Sequence, residues 1–112
     1  MKAPPPTGAP ADFNWPIPAY VPHMQAGVDR YLNHGVPPGR FLLALFSHDL
    51  VRTFAAADQA NTKAMRDWVE FMRWEMPPAS HGSAEAVRAW VEQHRIARDE
   101  AADAVAALDA GR

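Results

Sequence analysis

The chain has 112 residues and no cysteine, with 48% apolar and 21% charged side chains; this supports one hydrophobic core rather than two and excludes disorder along the whole length. Without cysteine there is no disulfide framework, no thiolate metal or iron–sulfur site and no thiol nucleophile, and a reducing cytoplasm is the expected compartment. Residues 1–60 carry four charges of each sign and residues 61–112 seven basic against nine acidic, so there is neither a concentrated basic patch for nucleic acid nor a carboxylate run imitating a phosphate backbone.

The chain opens Met1-Lys2-Ala3-Pro4-Pro5-Pro6, without the apolar centre of a secretory signal, and no later stretch approaches the ~20 apolar residues that span a bilayer. A protein that is neither exported nor membrane-spanning is expected. Seven of the eleven prolines lie within the first 22 residues, and they forbid a helix there, so residues 1–21 form an extended Pro-rich arm. Its first dozen residues lack bulky apolar groups and are expected to be mobile. Phe13, Trp15, Ile17, Tyr20 and Val21 are costly to leave in water. Either this strip lies across the protein's own helices or it docks on a partner.

The remainder, residues 22–112, reads as a single all-α domain, a small bundle of four to five helices. A first helix over residues 22–33 starts on Pro22 and has Met24, Val28, Tyr31 and Leu32 on one face. Asn33-His34-Gly35 stops it, with Gly35 able to adopt the left-handed conformation. After a rigid Pro-Gly turn the chain becomes strongly apolar at Phe41, Leu42, Leu43, Leu45, Phe46, Leu50, Val51 and Phe54, a stripe wide enough for the central, most buried helix. Ser47-His48-Asp49 interrupts it and can divide it in two, because Ser and Asp are good N-caps.

Asp58-Gln59-Ala60-Asn61-Thr62 marks a further cap before a helix to residue 75, whose apolar stripe is Met65, Trp68, Val69, Met72 and Met76. Phe71 and Trp74 lie off that stripe; either they fill a second interface or they are exposed aromatics that anchor a partner. Lys63, Arg66 and Arg73 alternate with Asp67, Glu70 and Glu75, as on a solvated face with local ion pairs. Pro77-Pro78 ends this helix, and Ser83 is the N-cap of the last one, with Val87, Trp90, Val91 and His94 on one face. That face continues weakly through Ala97, Ala101, Val105 and Leu108, where the tail frays unless a partner covers it.

Chemical motifs are scarce. Ser47, His48 and Asp49 are the residue types of a catalytic triad, but adjacent helical side chains diverge by roughly 100° and cannot form the relay. The five histidines include no i, i+4 pair, so no metal site is expected. No catalytic residue and no cofactor are assigned.

The run Gly35-Val36-Pro37-Pro38-Gly39-Arg40-Phe41-Leu42-Leu43-Ala44-Leu45-Phe46-Ser47-His48-Asp49-Leu50 resembles a pattern, roughly G-x-P-x-G-x-F-L-x-A-x-L-x-N-D-L, of small proteins of bacteriophages, prophages and other mobile elements. The resemblance continues through Ala57-Asp58-Gln59-Ala60-Asn61 and Pro77-Pro78-Ala79-Ser80-His81-Gly82-Ser83, covering about residues 31–91. His48 stands where Asn is usual and His81 where Trp is usual. The resemblance implies a genomic setting rather than a mechanism, and Gly35, Asp49, Asp58, Asn61 and Ser83 read as helix caps and buried hydrogen-bond partners.

Two functional classes follow. One is a non-enzymatic accessory protein acting in the cytoplasm of a bacterial host, where it binds a host protein and inhibits a defence system, as an anti-CRISPR protein binds a CRISPR-Cas component. Its expected contacts are Phe13, Trp15, Tyr20, Phe71 and Trp74. The other is a self-associating or nucleic-acid-associated accessory protein whose alanine-rich C-terminal helix pairs with a copy of itself as a homodimer.

Overall fold

The computed structural model describes residues 13–110; the proline-rich residues 1–12 and their expected mobility lie outside the described residues. A 3-10 turn, Pro22–Met24, leads into α1 (Gln25–His34), followed by α2 (Arg40–Phe46), α3 (Leu50–Ala56), α4 (Gln59–Lys63), α5 (Met65–Trp74), a second 3-10 turn at Pro78–Ser80, and α6 (Ala84–Ala110). No strand occurs among the described residues, and the architecture is a small all-α bundle. The six α-helices among the described residues exceed the expected four to five because the chain breaks at Ser47–Asp49 and again at Ala64. No helix among the described residues is long and apolar enough to cross a membrane.

The core forms around Trp68, which meets Phe41 at 5.9 Å and Phe71 edge-on at 5.8 Å between ring centroids. Its indole N–H donates to Oδ1 of Asn61 at 2.9 Å, so the buried polar atom is satisfied from within the preceding helix. Beside it Tyr31 stacks on Phe46 at 5.2 Å. The Tyr31 hydroxyl donates to the Ser80 carbonyl at 2.7 Å, and Trp90 donates to the Tyr31 carbonyl at 2.9 Å. One tyrosine thus joins α1, α2, the second 3-10 turn and α6, and its burial raises the phenol pKa well above its ordinary value.

The aromatic strip of the arm lies across the protein's own helices. Trp15 is only 3% exposed. Its backbone N–H donates to Asp29 at 3.0 Å, its indole N–H donates to Asn33 at 2.9 Å and its carbonyl accepts from Gln25 at 2.8 Å. Burial of the ring together with three satisfied polar groups makes this a structural anchor.

Three elements depart from the expected pattern. On α5 the buried face includes Phe71, while Val69, expected in the core stripe, is half-exposed; Trp68 and Phe71 together turn that helix away from Val69. In α3 Thr53 is the buried residue, whereas Leu50, Val51 and Phe54, expected within the most buried helix, are exposed, as is Leu43 on the outer side of α2. The break at Ser47–Asp49 resets the helical phase, so the apolar side of α3 faces outward. Finally, α6 stays helical through Ala110 rather than fraying, although every residue from Arg95 to Asp109 is exposed.

Candidate protein-interaction surface

The outward turn of α3 originates in one tight junction. At the end of α2 the N–H of His48 donates to Leu45 and that of Asp49 to Ala44, both at 3.0 Å, the paired bonds of a Schellman motif. Its left-handed position is occupied by His48, with φ of 58°. Asp49 then caps α3, its carboxylate accepting from the Arg52 N–H at 3.1 Å, while the Thr53 hydroxyl donates to the Asp49 carbonyl at 2.6 Å. The leftover carbonyl of Phe46 accepts from the Gly82 N–H at 2.9 Å. That bond brings the loop before α6 against the α2–α3 junction.

The same bond sets His81 beside His48. Nε2 of His48 and Nδ1 of His81 lie 2.9 Å apart, with ring centroids at 5.1 Å. Two neutral imidazoles satisfy this contact with one proton between them. Burial, reinforced by the nearby His48, lowers the His81 pKa below its ordinary value. The pairing is invisible in the spacing of the two residues along the chain.

Between α3 and α5 lies an apolar cleft of about 220 Å³. The buried side chains of Leu45, Thr53 and Met72 line its deeper part, and Leu50, Met65, Val69 and His48 complete the lining. Leu50 is 69% and Val51 78% exposed. Phe54, one turn beyond Leu50, continues the apolar ridge into solvent. The arrangement can receive apolar side chains but carries little hydrogen-bonding capacity to orient a small polar ligand. No three His, Asp or Glu side chains among the described residues converge on a point that could hold a metal.

The five aromatics expected to contact a partner do not form one surface. Trp15 and Phe71 are buried, which corrects their assignment to a binding face. Phe13 is half-buried, edge-on to Trp15 at 4.9 Å, and its carbonyl accepts from Asn33 at 2.7 Å. Tyr20 is exposed above a shallow depression bordered by Gln59, Ala60 and Lys63. Trp74 is 44% exposed, with its indole N–H donating to Glu70 at 2.8 Å and the Arg73 guanidinium 4.5 Å from its ring centroid; it shares a depression with Pro16, Ile17 and Pro18. Sequence reasoning missed Leu50, Val51, Phe54 and Val69 as surface residues. The available signal was Asp49, whose capping strength marks a new helix with a new phase.

Gly35 ends α1 in the left-handed region with φ of 68°. Asp58 caps α4 by accepting from the Asn61 N–H at 2.7 Å. That bond, assisted by His23 at 3.1 Å, holds the Asp58 carboxyl below the usual carboxylate range. The Ser83 hydroxyl accepts from the Ala86 N–H at 3.0 Å. Asn61 is no cap; its side chain is the buried partner of Trp68. No family model matches the chain, and neither a curated protein nor a solved structure matches it.

Proposed function

We propose that this chain is a non-enzymatic accessory protein of a phage or mobile element that binds a protein of its bacterial host and inhibits a defence system, as anti-CRISPR proteins do. The observation that carries the binding reading is the ridge of Leu50, Val51 and Phe54 beside the cleft lined by Val69. Apolar area left in water forgoes about 25 cal/mol per Å², and an apolar ridge next to a cleft is the form a protein-binding surface takes. The genomic setting and the inhibitory role rest on the resemblance of residues 35–50 to small phage and prophage proteins.

The test is a pull-down from bacterial lysates carrying several defence systems, with bound proteins identified by mass spectrometry. The bait is the wild-type chain or the double variant Val51→Glu, Phe54→Glu. Stoichiometric capture of a CRISPR-Cas or other defence component by the wild type, lost in the variant, is the expected result. Capture that survives both substitutions would overturn the assigned surface. No captured defence component from any of the lysates would overturn the inhibitor reading.

A further inference from the structure

We infer that the projecting half of α6 is a self-association element, in which two copies of the chain pair antiparallel through Ala97, Ala101, Val105 and Leu108, with Arg98 of each copy opposite Asp109 of the other. This inference is independent of the α3–α5 surface. Its first support is continuity. Val87 is buried and Trp90, Val91 and His94 are half-buried against the body, and the same helical face runs on at intervals of three and four residues through Ala97, Ala101, Val105 and Leu108. The body ends but the face does not. Val105 and Leu108 are 59% and 71% exposed, and the projection stretches the molecule to 57 Å along one axis against 27 and 22 Å across.

The second support is charge, which selects both the occupant and its direction. Residues 100–109 carry Glu100, Asp103 and Asp109 with no basic side chain, whereas at the root of the projection Arg95 is paired with Glu92 and Asp99 and Arg98 has no carboxylate of its own chain among the described residues. Parallel pairing would lay one acidic tail along another. Antiparallel pairing places each acidic tip, together with the negative end of its helix dipole, beside Arg98 of the second copy.

The flanks agree with this direction. Arg98 and Asp109 are about three whole turns apart and so border the apolar face on the same side, and antiparallel packing brings like flanks together. Arg98 donates one N–H to the His34 carbonyl at the edge of the body, which leaves further guanidinium donors for a carboxylate. Arg95 is already held by Glu92 and Asp99 of its own helix and stiffens the root. The shared face contains two alanines, a valine and a leucine per half, with Ala101 opposite Val105 of the second copy. Such a modest area makes the dimer reversible and concentration-dependent.

Light scattering across a concentration series is the first experiment. A monomer-to-dimer transition is expected in the wild type, with dimer affinity falling about tenfold or more in Val105→Glu and in Leu108→Glu while the melting temperature holds, because neither side chain touches the core. Direction is read with single cysteines, since the chain has none of its own. A mixture of Ala101→Cys and Val105→Cys chains gives predominantly the mixed disulfide if pairing is antiparallel. Predominant like-with-like disulfides, a dimer indifferent to both glutamates, or a monomer at every concentration would each overturn the inference.

Discussion

His48 and His81 stand 33 positions apart in the sequence and 2.9 Å apart in space, and the contact makes the α2–α3 junction sensitive to acid. The His81 imidazole has a folded pKa below its ordinary value of 6.5, first because it is half-buried and second because His48 lies beside it. Well above pH 6.5 the ring is neutral in both the folded and the unfolded chain, and its contribution to stability is complete. As pH falls from there through the lowered folded value, the unfolded chain takes up the proton first, so stability declines. Thermal unfolding followed by circular dichroism should show this fall, and His81→Phe should flatten it. An equally steep acid loss in His81→Phe would assign the effect to other groups.

The left-handed backbone of His48 separates conformation from hydrogen bonding. Asn tolerates φ near 58° better than most residues, whereas a β-branched side chain does not. His48→Asn should cost less than about 1 kcal/mol, the worth of the bond to His81, and His48→Val about 2 kcal/mol or more. Urea unfolding of both variants is the check; equal losses would show that the hydrogen bond alone matters.

Gly35 is required twice over. Its φ is 68°, and a Cβ placed there would lie 2.4 Å from Cβ of His94. Gly35→Ala should therefore destabilise the fold by about 2–4 kcal/mol, combining left-handed strain with overpacking. Because the collision is with Cβ, His94→Ala should not rescue it, and a double variant that recovers the loss would contradict this geometry.

Asn61→Ala should cost about 1–3 kcal/mol in urea unfolding, since it leaves the buried Trp68 N–H without an acceptor. Leaving stability unchanged would mean that water reaches the indole.

Trp15 and Trp74 should separate cleanly. Trp15→Ala removes a buried ring and its indole bond to Asn33 of α1 and should cost about 3–5 kcal/mol. Trp74→Ala should cost less than about 1 kcal/mol, because its ring is largely exposed and its bond to Glu70 is on the surface. Similar melting temperatures for the two variants would reverse the assignment of Trp15 as an anchor.

The sequence by itself determined the helical class, the helix stops at Gly35 and Pro77, and the caps Asp49, Asp58 and Ser83, because these depend on local backbone chemistry within a few residues. It also placed Phe41, Leu42, Leu45 and Phe46 of α2 in the core, although Leu43, expected with them, is exposed, and it placed Val87, Trp90 and Val91 of α6 against the body. Only the tertiary structure decided which apolar side chains meet water. Leu50, Val51 and Phe54 read as core by hydrophobicity, yet one left-handed residue at His48 rotates them outward, and no periodicity count carries across such a reset. Phe71 entered the core and Val69 left it because the direction of α5 is set by what Trp68 packs against. The His48–His81 pair depends on the bonds that fix the loop before α6, Gly82 to Phe46 and Tyr31 to Ser80, long-range contacts whose partners bear no local mark of each other.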